Sequence, residues 1–117
     1  MLTRLEHSLL STTIYDWEPL HILYKETLRE FKDVTFTSVI EVLVKLFNSG
    51  YIVCTIEQDL IEPVTELDKE KLLKHYGGGL SEKEMNIYPD VVEYYFKATT
   101  KGREEAEKDI YNTYYPD

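Results

Sequence analysis

The sequence predicts an α+β fold that is mostly α, with a three-helix core, a small antiparallel β-hairpin and a C-terminal helix. Three observations lead to this class. Apolar residues recur at helical spacing in three stretches before residue 50. Two short runs rich in β-branched and aromatic residues, 51–56 and 92–97, indicate strands. A last stretch, 100–110, carries acids early in a helix, where the positive end of the helix dipole favours them.

The first helix is predicted over residues 3–13. Thr3 and Glu6 have the spacing of a capping box, in which each side chain accepts a hydrogen bond from the backbone N–H of the other residue. Leu2, Leu5 and Leu9 then recur at helical spacing and predict one buried side.

The second and third helices each present one apolar face. The second helix is predicted to start at Asp16, a favourable N-cap residue, with Pro19 in the first turn, where its missing N–H does no harm. The third helix carries another capping-box pattern at Ser38–Glu41. It is predicted to end at Gly50, because glycine readily takes the left-handed conformation that closes a helix.

The two predicted strands are separated by the irregular segment 57–90. Inside it, cap spacing from Thr65 to Asp68 and the leucines that follow predict a short helix that ends at the glycines 77–79. A two-stranded hairpin alone is marginally stable, so we expect it to pack on the helices. The last residues, 111–117, are expected to form an extended tail of a single domain that spans residues 1–117.

Two local patterns resemble the winged helix-turn-helix superfamily. The run from Leu46 to Ile52 resembles its third helix leading into the first wing strand. The run from Phe96 to Ala106 resembles its second wing strand followed by an "L-T-x-K-G-R-E" start of a closing helix. The resemblance covers residues 17–56 and 91–110, with 57–90 as a long insertion between the wing strands. It implies a divergent, acidic winged-helix protein, and winged-helix proteins often bind DNA.

The charge of the chain favours a different partner. Its 117 residues contain 22 acids and 13 bases, a formal net charge of -9 that is spread along the whole chain. Duplex binding depends on Lys and Arg that neutralise phosphates. We therefore expect a non-enzymatic protein-binding module that acts on a basic protein. By analogy of size and charge, its concrete form is an immunity-type inhibitor of a nuclease toxin. The alternative is a DNA-binding winged-helix transcriptional regulator.

The two functions have different candidate residues. Protein binding would use an acidic, tyrosine-rich surface, since tyrosine supplies contact area at low entropic cost. Its candidates are Glu104, Glu105, Tyr111, Tyr114 and Tyr115. DNA binding would use polar residues of the third helix and bases of the wing. Its candidates are Thr37, Ser38, Lys45, Lys97, Lys101 and Arg103.

Enzymatic activity, metals and cofactors are not expected. The histidines (His7, His21 and His75) pair with no cysteine at metal-ligand spacing. The glycines 77–79 lack the Gly-Lys-Ser/Thr ending and preceding strand of a phosphate-binding loop.

The cysteine count and the lengths of the apolar runs indicate the cellular compartment in which the protein is expected. Cys54 is the one cysteine, so no intrachain disulfide can form, and its apolar surroundings predict a buried, inert thiol. The N-terminus lacks signal-peptide features. No uncharged apolar run approaches the ~18 residues of a membrane span. The expectation is a cytoplasmic protein without membrane association, with homodimerisation left open.

Overall fold

The computed structural model describes residues 1–56, 63–77 and 93–115. The helices in chain order are α1 (Arg4–Thr12), α2 (Leu20–Glu30), α3 (Phe36–Asn48), α4 (Lys69–His75), α5 (Thr100–Ala106) and a C-terminal 3₁₀ helix (Asp109–Tyr114). The strands are β1 (Glu18–Pro19), β2 (Ile52–Ile56) and β3 (Tyr94–Ala98). The predicted class, α+β and mostly α, is confirmed.

The predicted capping box of α1 is confirmed. Thr3 Oγ1 accepts a hydrogen bond from the Glu6 backbone N–H at 3.1 Å, and Glu6 Oε1 accepts one from the Thr3 N–H at 2.8 Å. Leu9 and Leu10 on the inner side of this helix are buried in the core. The helix therefore begins and packs where its local sequence requires.

The second helix starts later than predicted. Asp16 does not cap it; α2 begins at Leu20, and Pro19 is its N-cap residue. A residue that precedes proline is disfavoured in the helical region, so Glu18 is extended. Glu18 and Pro19 instead form β1, which pairs antiparallel with Phe96 and Tyr95 of β3.

The third helix starts earlier than predicted and ends as predicted. Its cap is Thr35, whose Oγ1 accepts a hydrogen bond from the Ser38 backbone N–H at 3.0 Å. Ser38 therefore lies in the first turn of α3 and is not the cap. The helix terminates at a left-handed Gly50, with φ of +80°.

The short helix predicted between the strands is α4, with a different cap. Asp68, and not Thr65, caps it by accepting a hydrogen bond from the Lys71 backbone N–H at 2.9 Å. A left-handed Gly77, with φ of +68°, follows its end. The remainder of the predicted insertion, 57–62 and 78–90, lies outside the described residues.

The sheet contains the predicted hairpin and one further strand. Its strands are antiparallel in the order β1-β3-β2, and Cys54 of β2 lies opposite Phe96 of β3. Both residues are fully buried against the helices. Burial also raises the pKa of the Cys54 thiol to about 12, which agrees with the predicted inert cysteine. Beyond the hairpin, the Val64 N–H donates to the Cys54 carbonyl at 2.8 Å.

The expected extended tail is wrong for the residues that are described. The last helix, α5, ends at Ala106 and not at residue 110, and the chain then turns at Glu107 and Lys108. The 3₁₀ helix that follows returns Tyr111 to the core, where it is 2% exposed. Residues 116–117 lie outside the described part. None of the described helices has the length and hydropathy that crossing a membrane requires.

Candidate functional site

The exposed charges of α3 are held in ion pairs with its neighbours. This helix packs against both α1 and α4. Glu41 Oε1 lies 3.0 Å from Lys69 Nζ of α4. One turn later, Lys45 Nζ lies 2.6 Å from Glu6 Oε2 of α1. The helix predicted to read DNA therefore presents intramolecular ion pairs at these two positions.

The carboxylate that holds Lys45 is buried. Glu6 is 5% exposed and also accepts the capping-box hydrogen bond from Thr3. Burial raises the pKa of Glu6, but hydrogen bonds from Lys45 and Thr3 outweigh it and leave the pKa below its usual value. Lys45 thus neutralises a charge inside the protein, and a phosphate would have to compete with that contact.

The other DNA-binding candidates differ in the contacts that they make. Thr37 and Ser38 are half-buried, and the Ser38 hydroxyl lies 2.8 Å from that of Thr35. Arg103 Nε donates to Glu107 Oε1 at 3.1 Å. Lys97 lies in β3 and forms no ion pair within residues 1–56, 63–77 and 93–115. No side-chain hydrogen bond or ion pair joins any two of the six candidates in the described chain.

Lys101, at the start of α5, forms a hydrogen bond to the backbone at the end of α3. Its Nζ donates to the Ser49 carbonyl at 2.8 Å and lies 5.1 Å from the centre of the Tyr51 ring. Beside it, Thr99 Oγ1 donates to the Gly50 carbonyl at 2.7 Å. A cation at this place suits the negative end of a helix dipole. Lys101 is therefore explained as a helix-end contact without any nucleic acid.

Gly102 is required by the same junction. Its backbone N–H donates to Thr99 Oγ1, which caps α5, at 3.0 Å. A Cβ at this position would lie 1.9 Å from the carbonyl oxygen of Tyr51, which is far inside van der Waals contact. Only glycine allows this approach of two backbones, so the glycine of the K-G-R-E run at residues 101–104 has a packing role here.

The C-terminal tyrosine cluster (Tyr111, Tyr114 and Tyr115) lies against the N-terminus of the chain. The Leu2 backbone N–H donates to the Tyr111 hydroxyl at 2.9 Å. The Tyr114 hydroxyl donates to the Leu2 carbonyl at 2.7 Å. His7 stacks on Tyr111 with ring centres 4.5 Å apart. Two of the three tyrosines proposed for partner binding thus bind the protein's own backbone, while Tyr115 remains 42% exposed.

The two candidate acids near this cluster differ. Glu105 Oε2 accepts a hydrogen bond from the Tyr111 hydroxyl at 2.6 Å, and its Oε1 accepts one from Lys108 Nζ at 3.0 Å. The hydrogen bond from Tyr111, followed by that from Lys108, lowers the pKa of Glu105. Glu104 is exposed and makes no side-chain hydrogen bond or ion pair within the described part of the chain. Of this pair, Glu104 alone is presented to solvent as the sequence predicts.

A buried polar network joins α2, α4 and the start of β3. Glu93 is 4% exposed; one carboxylate oxygen contacts His21 Nδ1, and the other accepts a hydrogen bond from the Tyr76 hydroxyl at 2.6 Å. The same hydroxyl accepts a hydrogen bond from the Tyr94 N–H at 3.1 Å. Burial, and then the bond to Glu93, raises the pKa of Tyr76. Through these contacts, Tyr76 on one side of residues 78–92 and Glu93 on the other are both joined to the helical core.

This network has no local sequence signal, because His21 and Glu93 are 72 positions apart. In the described residues, no group of His, Cys, Asp and Glu side chains is arranged to hold a metal ion. The Glu93 carboxylate and the Tyr76 hydroxyl have hydrogen-bond partners within the network, as buried polar atoms normally do.

Crowded carboxylates and an exposed tyrosine lie around β1. We call Tyr15, Asp16, Glu18 and Glu26 the acidic–aromatic patch. Tyr15 is 83% exposed. Burial, and then the charges of Asp16 and Glu26, raises the pKa of Glu18. Neither Asp16 nor Glu18 forms an ion pair within the described residues. Aromatic and acidic residues alternate over 15–18 in the sequence, but these positions are not among the candidates predicted from it.

Comparison of the chain with protein-family models, with curated proteins and with solved structures finds no match in any of the three. The fold and the surface define a small acidic α+β protein with an acidic–aromatic patch. A functional proposal for this protein therefore rests on the charges and contacts of the chain itself.

Proposed function

We propose that this protein is a non-enzymatic binding module that engages a basic protein through the acidic–aromatic patch. The observation that carries the proposal is the crowding of Asp16 and Glu18 without an ion-paired cation in the described chain, beside an exposed Tyr15. A Lys or Arg of a partner would relieve the repulsion between these carboxylates. Tyr15 would add a large contact area at low entropic cost.

The net charge supports the same class of partner. A charge of -9 would steer a basic protein towards the module and accelerate association. In its concrete form, the module is a cytoplasmic immunity-type inhibitor that covers the phosphate-binding surface of a nuclease toxin. We retain the winged-helix relationship as part of this proposal, since three helices precede the paired strands β2 and β3 and a further helix follows them.

DNA binding is the second candidate, and the same order of elements favours it. Lys97, in β3, is the wing lysine that forms neither an ion pair nor a side-chain hydrogen bond within the described residues, whereas Lys101 donates to the Ser49 carbonyl and Arg103 pairs with Glu107. Against it stand the ion pairs of α3, because Lys45 already neutralises the buried Glu6. Phosphate contacts supply much of the affinity of duplex binding, so this protein would have to bind DNA with few unpaired Lys and Arg side chains.

The experiment compares three baits in affinity capture from cells that express the protein. The first is the unaltered chain, and the second carries Tyr15→Ser, Asp16→Asn and Glu18→Gln. The matched control removes two exposed acids elsewhere, with Asp33→Asn and Glu66→Gln. We expect one basic protein to be retained by the first and third baits and lost from the second, with affinity that falls as salt rises.

A parallel measurement separates the alternative function. Fluorescence anisotropy with labelled duplex DNA is recorded for the unaltered protein and for Lys97→Gln. Salt-dependent duplex binding that Lys97→Gln weakens, together with no protein lost from the patch bait, would replace the proposed function with the DNA-binding one.

A further inference from the structure

A basic cleft runs along one side of α2. It has a volume of about 470 Å³ and is lined by Lys25, Leu28, Arg29 and Lys32. Three of the four lining side chains are cations, in a chain where acids outnumber bases 22 to 13. The volume is in the range of small-molecule sites, which span roughly 300–1,000 Å³.

The cations of this cleft are weakly neutralised by the protein. Arg29 Nη1 lies 3.3 Å from Glu26 Oε1 in an exposed pair, and such pairs contribute little to stability. Lys25 and Lys32 form no ion pair within the described residues. A bound anion would therefore meet cations that the described chain leaves weakly paired or without an ion pair.

The size and the charge of the anion follow from the rest of the molecule. A long polyanion would meet the field of a protein with net charge -9. Screening within about 8 Å at physiological ionic strength confines the attraction of the cleft to an anion that lies inside it. A phosphate monoester carries about two negative charges on a compact group. An arginine fork can hold it through two hydrogen bonds, while lysines act as point charges.

We propose that the α2 cleft binds a compact phosphate-bearing anion, either a phosphomonoester or a pyrophosphate group. Arg29 would contact two phosphate oxygens, Lys25 and Lys32 would neutralise its charge, and Leu28 would contact an apolar part of the ligand. The site has the opposite charge to the acidic–aromatic patch, so it extends beyond the proposed protein-binding function and does not rest on it.

The test uses backbone amide chemical shifts and calorimetry on the full chain. The probes are inorganic pyrophosphate, a phosphoserine peptide, the same peptide without phosphate, and duplex DNA. We expect saturable shifts centred on residues 25–32 with pyrophosphate, with the phosphopeptide, or with both, and none with the unphosphorylated peptide. Whether pyrophosphate or the phosphopeptide binds more tightly distinguishes a free phosphorylated molecule from a modified protein.

Matched variants locate the site. Lys25→Gln with Lys32→Gln should weaken binding about tenfold or more. Lys71→Gln with Lys74→Gln, which removes two exposed lysines from α4, should leave it unchanged. Arg29→Lys keeps the charge but loses the fork, and should weaken binding severalfold. Melting curves of all variants confirm that each one is folded.

Three results would overturn the proposal. The first is the absence of saturable binding of either phosphate probe at millimolar concentration. The second is an equal loss of binding in the α4 control variant, which would mean attraction to lysines in general. The third is duplex DNA that binds more tightly than pyrophosphate through the same residues. Variants of the acidic–aromatic patch do not enter this test, so failure here leaves the proposed function standing.

Discussion

Two regions of this molecule combine acids with aromatic residues, and the structure uses them in opposite ways. In the C-terminal tyrosine cluster, the Tyr111 hydroxyl accepts from Leu2 and donates to Glu105. In the acidic–aromatic patch, Glu18 is half-buried beside other carboxylates and has no ion pair within the described residues. The comparison shows that composition alone does not reveal a binding surface. The hydrogen-bond partners of each side chain decide whether it serves the interior or remains available.

The carboxyl groups of the two regions have opposite pKa shifts. Hydrogen bonds from Tyr111 and Lys108 lower the pKa of Glu105, so the fold stabilises its charged form. Burial and neighbouring acids raise the pKa of Glu18, so the fold destabilises its charged form. Neutralising these two residues should therefore change the free energy of unfolding in opposite directions.

The largest expected effect is at Tyr111. Tyr111→Ala should lower the free energy of unfolding by about 3–5 kcal/mol, because it opens a cavity, leaves the Leu2 N–H without its acceptor and removes one of the hydrogen bonds to Glu105. Tyr111→Phe keeps the ring and should cost about 1–2 kcal/mol. Urea unfolding measures both. If Tyr111→Ala cost less than Tyr111→Phe, the interior role of the cluster would be wrong.

The next effect is at Glu105. Glu105→Gln should cost about 1 kcal/mol at pH 7, because a charge-assisted acceptor for Tyr111 and Lys108 is weakened. Its pKa is lower in the folded state than in the unfolded state. Its contribution is therefore fully present above the unfolded-state value of about 4.3 and is lost as pH falls towards the folded-state value. Urea unfolding at several pH values should show that the cost of the substitution shrinks on acidification. A cost that stays constant with pH would contradict this account.

Glu18→Gln should stabilise the protein while weakening partner binding. Because the folded-state pKa of Glu18 is raised, its unfavourable charge is absent below the unfolded-state value and develops as pH rises through the folded-state value. The substitution should add on the order of 0.5 kcal/mol at pH 7 and nothing at low pH. Partner affinity of the unaltered protein should rise over the same pH interval. Loss of stability in Glu18→Gln at pH 7 would show that the carboxylate has a favourable contact and is not free for a partner.

The smallest effect on stability is expected at Tyr15. Tyr15→Ser should change the free energy of unfolding by no more than about 0.5 kcal/mol, as is usual for an exposed side chain. It should nevertheless reduce capture of the basic partner. Tyr115→Ser is the matched control from the other region: Tyr115 lies near Arg4, 5.8 Å from ring centre to guanidinium carbon, and its loss should leave capture intact. The reverse pattern would return the binding surface to the C-terminal cluster.

Local rules explain why much of the fold is readable from the sequence. The Thr3–Glu6 capping box and the left-handed Gly50 involve residues that are close in the chain, and both are found as predicted. The start of α2 was missed although it is also local. The conformational limit that Pro19 places on Glu18 prevails over the capping preference of Asp16.

The candidate site is less predictable for a physical reason. Tyr111 is buried because it meets Leu2, which is 109 positions away, and no local pattern displays that contact. The pairing of Lys45 with Glu6 likewise depends on how α3 packs against α1. The aromatic and acidic alternation at residues 15–18 is visible in the sequence. The structure is needed to show that Tyr15 and Asp16 are exposed while Trp17 and Glu18 are half-buried.

The contacts of Leu2 with Tyr111 and Tyr114 also set the order in which a newly made chain can mature. Leu2 is synthesised before Tyr111 and Tyr114, so its backbone meets these two hydroxyls only after residue 114 has emerged from the ribosome. During synthesis, part of the packing surface of α1 therefore stays exposed until the C-terminal tyrosines are made. Chaperones that bind exposed apolar segments would meet this helix early, and release of the C-terminal tyrosines would end that exposure.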